Sequence, residues 1–175
     1  MAEFEEHPSK AAAWRYGGFV VLPDAEAEDC TIWFRLEPDA DSDMRWEGLL
    51  GRRLSDDRAR VCAVPFWVYD LNLGDEVRIV TSAEGALIAT ESIHDSGNYT
   101  FRVSFNTDGE DDLSWRELQQ ALEPFDCWFD VRSPRFTAIS CPPSHAQAVA
   151  DYLASRERDG ELHYETGRMT PSPDS

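Results

Sequence analysis

The chain has 175 residues, 42% hydrophobic and 29% charged, the make-up of a folded protein with room for one domain or two small ones sharing a core. Against this ordinary background, 34 acidic and 16 basic residues give a net charge of -18. That field repels nucleic-acid phosphates and anionic membranes, so a nucleic-acid partner is disfavoured and a membrane partner is not expected; the surplus suits a basic partner or serves solubility.

In chain order, residues 1–17 read as a flexible N-terminal segment, with a short helical turn over 11–16. A strand over 18–22 is stopped by Pro23, and 23–29 reads as an acidic loop. Residues 30–36, Cys-Thr-Ile-Trp-Phe-Arg-Leu, are rich in β-branched and aromatic side chains and predict a strand. After a second acidic loop at 38–43, Gly48 and Gly51 favour strand over helix for 45–53. Asp56-Asp57 marks a turn, and the chain then enters its densest apolar run, Val64-Pro65-Phe66-Trp67-Val68-Tyr69. Alternation predicts strands over 76–81, 87–93 and 99–105, with turns at Glu84-Gly85 and Asp95-Ser96-Gly97-Asn98. Residues 18–98 are thus expected to form an antiparallel β-rich subdomain, a small twisted sheet or partial barrel.

The style changes after an acidic turn at 108–112. Ser114 and Glu117 have capping-box spacing, with Leu113 and Leu118 as a hydrophobic staple, and Pro124 ends that helix. Strands are expected over 127–131 and 136–141. A second helix with a Ser144–Gln147 box follows, with Ala146, Val149, Ala150 and Leu153 on one face and Gly160 as its stop. A last strand is expected over 161–166. The fold class is therefore α+β: the β-rich part followed by a ferredoxin-like β-α-β-β-α-β part over 99–167, with a disordered tail at 168–175.

The runs Val64–Tyr69 and Leu73-Gly74-Asp75-Glu76-Val77, with Ser96-Gly97 before Thr100-Phe101-Arg102-Val103, form a pattern. It continues through Ser140-Cys141-Pro142-Pro143 and Leu162-His163-Tyr164-Glu165. On these motifs the chain resembles the bacterial family catalogued as domain of unknown function 4265, over roughly residues 30–165. The family pattern often carries a His after Ser-Gly, where this chain has Asn98 followed by Tyr99. The resemblance implies no reaction, cofactor or partner.

The residues themselves offer no catalytic set, no metal-ligand spacing and no cofactor fingerprint. Cys30, Cys62, Cys127 and Cys141 are scattered, without a CxxC, and read as buried reduced thiols of a cytoplasmic protein. There is no signal core and no apolar stretch long enough for a spanning helix. His94-Asp95-Ser96 places triad residue types side by side, but a triad needs geometry, and a turn accounts for all three. Arg52, Arg53, Arg58 and Arg60 read as ion-pairing partners of the many carboxylates.

Consecutive aromatics at Trp33-Phe34 and Phe66-Trp67 point to opposite faces of their segments, so one of each pair is available to line a groove or a junction. These features favour a non-enzymatic binding protein whose acidic surface neutralises or regulates a basic protein, in the manner of an immunity protein or antitoxin. The alternative is a small-molecule sensor or enzyme using the crevice between the two parts. The expected binding residues are Trp67, Tyr69, Asp70, Asp75 and His94, the last four as crevice liners.

Overall fold

Strand-forming side chains dominate the first hundred residues, and the chain resolves them into two sheets rather than one. The computed structural model describes residues 2–37, 44–106 and 113–169. The protein is mixed α+β, mostly strands, with a barrel-like sheet and a few helices.

The first sheet holds β1 (Glu3–Glu6), β4 (Cys30–Arg35), β5 (Arg45–Ser55), β6 (Arg58–Val61), β7 (Glu76–Thr81) and β8 (Leu87–His94). Its order is β1-β5-β4-β8-β7-β6, and β6 pairs back onto β5, so five strands close on themselves. Closure depends on β5, whose first half pairs with β4 and whose second half pairs with β6, the two ladders meeting at Gly51. A Cβ there would stand 2.4 Å from Ile32 Cδ1, so only glycine permits this corner. The interior is filled by Ile32, Phe34, Leu49, Val61, Val77 and Ile79.

The second sheet has the order β12-β9-β11-β10-β2-β3. Its strands are β2 (Ala12–Arg15), β3 (Gly18–Val21), β9 (Tyr99–Phe105), β10 (Trp128–Ser133), β11 (Phe136–Cys141) and β12 (Leu162–Thr166). Helices α2 (Leu113–Ala121) and α3 (Ala146–Arg158) follow β9 and β11 in the chain. Their Leu118, Val149 and Leu153 pack against Phe101, Val103, Phe129 and Ile139 on one face of this sheet.

Several expectations are corrected. The 1–17 segment is not loose: β1 pairs parallel to β5, and the side chain of His7 is fully buried. Residues 12–15 are a strand, not a helical turn. Alanine favours helix in isolation, but here Ala11 and Ala13 are fully buried and Ala12 pairs with Phe129. The β2–β3 hairpin turns through Tyr16 and Gly17, both at positive φ, and extends the second sheet, so the 18–98 boundary cuts through it. A single helical turn, α1 (Pro23–Glu26), interrupts the acidic loop, with Pro23 at a first-turn position where its missing N–H is no loss. The Ser144–Gln147 box does not form: Ser144 lies in a 3-10 turn over Pro143–His145, and Gln147 donates to Asp151 instead. The start of the expected tail is anchored, Arg168 being buried against Asp95. The acidic loops at 38–43 and 108–112 and the tail from 170 onward lie outside the described residues, as do the side chains of Leu113 and Ser114 on which the staple and the Ser114 box depend.

Candidate functional site

Between β6 and β7 the chain leaves the barrel, crosses to the second sheet and returns. This crossing, residues 62–75, contains the aromatic run, and Val64, Phe66 and Leu73 pack with Ala11 and Ala138 in a third apolar cluster. They cover the face of the second sheet opposite its helices.

A buried segment without a regular ladder must find acceptors for its amides elsewhere. Three buried carboxylates supply them. Glu47, on β5, accepts from the amides of Phe66, Trp67 and Val68 at 2.7, 3.0 and 2.9 Å. Asp130, on β10, accepts from the Val64 amide at 2.7 Å and the Ser9 hydroxyl at 3.1 Å, and lies 3.1 Å from His7 Nε2. Asp75 accepts from the amides of Asn72 and Ser96 at 2.8 and 2.7 Å. Burial pushes the Glu47 carboxyl above its ordinary range, against the lowering effect of the three amides and of His7. Asp75 is raised for the same reason, opposed by Ser96 and Asn72.

The carbonyls are held in turn. Arg102, on β9 and buried, donates through Nη2 to Val68 O at 2.5 Å and through Nε to Pro65 O at 3.4 Å. The Ser96 hydroxyl and Asn98 Nδ2 both donate to Leu73 O. Asn98 thus helps to hold the crossing in place.

The structure disperses the residues expected to share a crevice. Trp67 stacks on Phe136 with ring centroids 5.3 Å apart, and the Arg45 and Arg132 guanidinium groups stand over it at 5.7 and 5.6 Å. The Tyr69 ring lies 4.4 Å from the Arg102 guanidinium, and its hydroxyl donates to Glu165 at 3.1 Å. Burial and the Glu165 carboxylate raise that hydroxyl's pKa. Asp70, at positive φ, accepts from the Met169 amide at 2.6 Å and its own amide donates to Gly167 O. Asp75 is sealed within the crossing. His94 is exposed at the end of β8, opposite Glu76, and meets none of the other four.

Two cavities flank the crossing. One, of about 260 Å³, is lined by Trp67, Arg102, Ser104, Phe136, His163 and Glu165 among others. The other is a true inter-sheet crevice of about 370 Å³, lined by Leu73, Gly74, Asn98, Asp126, Trp128 and Cys141 among others. Tyr69, Asp70, Asp75 and His94 are not among the residues lining this crevice.

His94, Asp95 and Ser96 are engaged separately: Asp95 accepts from the Gly97 amide and pairs with Arg168 at 2.6 Å, while Ser96 bonds Asp75 and Leu73 O. Burial raises Cys62 to about 11 and Cys30 to about 12, the latter with help from Asp29. Cys127 is raised by its hydrogen bond with Cys141 and by burial. Thiolates are therefore disfavoured at all three. Arg58 and Arg60 both pair with Glu76. Among the described residues no group of three or more His, Cys, Asp or Glu is placed to hold a metal ion, and no helix is long and apolar enough to cross a membrane.

Glu47, Arg102, Asp130, His7 and Arg168 were not singled out from the sequence. For Glu47, Arg102 and Asp130 a signal existed: each charged side chain interrupts an apolar strand, and a buried charge requires a partner.

The family model described as Domain of unknown function (DUF4265) matches residues 47–164, which contain the crossing and the acceptors Glu47, Asp75 and Asp130. A solved structure titled "Novel crystal structure of a hypothetical protein from Neisseria gonorrhoeae" shares the fold. It is 20% identical, has a TM-score of 0.67, and the alignment covers 82% of this chain and 96% of that one. No curated protein matches the chain in sequence.

Proposed function

From the premise that the chain belongs to the family of domain of unknown function 4265, we propose that it is a non-enzymatic binding protein that neutralises or regulates a basic protein partner. One observation carries this reading. Among the described residues only three acidic side chains, Glu47, Asp75 and Asp130, are buried, and each is occupied in holding the crossing. The other acidic side chains among the described residues are at least partly exposed, in a chain of net charge -18, and surface charge of this kind steers and discriminates oppositely charged partners.

The test is affinity capture of the tagged full chain from its native host, with mass spectrometry at low and moderate salt. A stoichiometric basic protein, lost as the Debye length shrinks below about 10 Å, is the expected result. Absence of any stoichiometric partner at both salt concentrations overturns the reading.

Two finer assignments belong to the same proposal. The β9-α2-β10-β11-α3-β12 order, with the strand order β12-β9-β11-β10, supports a ferredoxin-like unit extended by the β2–β3 hairpin. Four free cysteines suit the reducing cytoplasm.

The inter-sheet crevice favours a second reading, a sensor or enzyme for a small cation: Asp24, Asp126 and Trp128 line it, and the ligand would take the place of Arg15, which stands 3.8 Å from Asp126 and 5.5 Å from the Trp128 ring centroid. Saturable binding of a small organic amine that protects the Trp128 indole would support it. A screen of such amines that leaves Trp128 unperturbed would reject it.

A further inference from the structure

The barrel closes at its weakest seam, where β4 and β8 pair in parallel over only Ile32–Leu87 and Trp33–Ile88. On the outer face beside this seam, aromatic side chains gather. Phe34 fills the barrel while its neighbour Trp33 lies outside, against Gly48, where a Cβ would come within 2.8 Å of the indole. Phe4 of β1 is 60% exposed and stands in register with Trp46 of β5. Its ring meets Trp33 edge-on, with centroids 5.4 Å apart at 89°, and stacks with Trp46 at 6.1 Å and 8°. Phe4, Trp33, Trp46 and Ile88 thus line an open pocket of about 280 Å³, with Glu84 at its wall. A second depression of about 380 Å³ adjoins it through Trp33 and Ala86 and carries Asp29 and Arg53, so the groove is longer than one side chain.

Charges of both signs border the groove: the exposed Arg53 lines its second depression, and carboxylates stand beside the aromatic pocket. Glu6 projects from β1 two residues beyond Phe4, and both Glu6 and Glu84 are exposed. The nearby Arg45 is occupied with Glu3, Glu5 and the Trp67 ring. Arg35 opposes Trp46 in the β4–β5 ladder but stands outside the pocket lining. Aromatic faces carry negative potential, and several around one opening with carboxylates at the rim attract a cation. Guanidinium suits such walls better than ammonium, being planar, able to stack and weakly hydrated.

We propose that this groove is the docking site for an extended basic segment of the protein partner, with an arginine side chain of that segment seated among Phe4, Trp33 and Trp46. The assignment rests on the basic-partner reading above and gives it a place. Glu84 and Glu6 pair with the guanidinium or its basic neighbours.

The test uses the full chain and a nona-arginine peptide as probe, followed by the indole N–H signals of the tryptophans at low salt. The expected result is saturable shifts at Trp33 and Trp46. Phe4→Ala should weaken binding by about fivefold or more, and nona-lysine should bind more weakly than nona-arginine. Ile88→Arg, which sets a positive charge in the pocket, should weaken binding at least as much and guards against a Phe4→Ala variant that fails to fold. Phe19→Ala, an exposed aromatic on the second sheet, should change nothing. If the peptide binds but Trp33 and Trp46 do not shift and both groove variants bind normally, the groove is overturned while the acidic-surface reading stands. If the peptide does not bind the wild-type chain at low salt, both fall.

Discussion

Glu47 shows how one side chain can organise fourteen residues that make no ladder of their own. Its two oxygens accept from three successive amides in a site that water does not reach. A glutamine there presents one acceptor and one NH2 donor, so at least one amide faces another donor. Glu47→Gln is expected to destabilise the fold by about 1–3 kcal/mol, read as a lower denaturant midpoint. An unchanged midpoint would mean the crossing holds itself. Asp95 has the opposite electrostatics: its hydrogen bond with Arg168 holds its carboxyl below the ordinary value of 3.8. A carboxylate with a lowered folded-state pKa contributes stability that is fully present above its unfolded value and is lost as pH falls through the folded one. The stability gap between wild type and Arg168→Gln should therefore persist at neutral pH and close below about 3.8, as measured by chemical unfolding across pH. Glu47 and Asp75, raised by burial, act in the reverse sense, their contribution declining as pH rises above the ordinary carboxylate range. Arg168 itself was hidden by its place in a polar C-terminal run, since its anchor is seventy-three positions upstream at Asp95.

Strands with alternating side chains, β7 and β9, were legible because one face of each is apolar, although β9 also buries Thr100 and Arg102 on its other face. Helices α2 and α3 were legible from their apolar stripes and from Pro124 and Gly160. The strands at the start of the chain were not. β1 is mostly acidic, and β2 takes its conformation from pairing with β3 and β10 rather than from its own residues. Two predictions belong at this scale. Gly51→Val should cost about 1–3 kcal/mol by forcing a side chain into Ile32, whereas Gly18→Ala, with nothing within 4 Å of its added Cβ, should fall within about 0.5 kcal/mol of wild type. Equal effects of the two would remove the barrel-corner account. Deleting residues 2–9 removes β1, His7 and Ser9 and leaves the Asp130 carboxylate with the Val64 amide alone. The expected cost is about 3–5 kcal/mol in thermal or chemical unfolding, although this segment precedes the family match at 47–164.

For the whole molecule, the informative sequence feature was the aromatic run, and it proved to be the bond between two sheets rather than an open site. Trp67 and Tyr69 stand out in the sequence as an aromatic pair, but their ring contacts depend on Phe136 and Arg102, whose proximity no local pattern discloses. The pocket beside Phe4 needed four segments, β1, β4, β5 and the β7–β8 hairpin, to be placed before it could be seen. Because the crossing belongs to both sheets, they should unfold together. Tryptophan fluorescence and far-ultraviolet circular dichroism are expected to report one coincident transition, and two separated transitions would show that each sheet stands alone.

The same interlocking sets an order of events on the ribosome. Ser9 finds Asp130 across 121 positions of chain, and the β2–β3 hairpin has no sheet to join until β10 has been made. Ser9 and the β2–β3 hairpin must therefore wait in an unfinished state until β10 has been synthesised. Closure of such distant contacts is slow, since loop entropy is lost before the contacts repay it. The acidic character of the adjoining β1, unsuited to aggregation, helps to keep that waiting stretch soluble until β10 arrives.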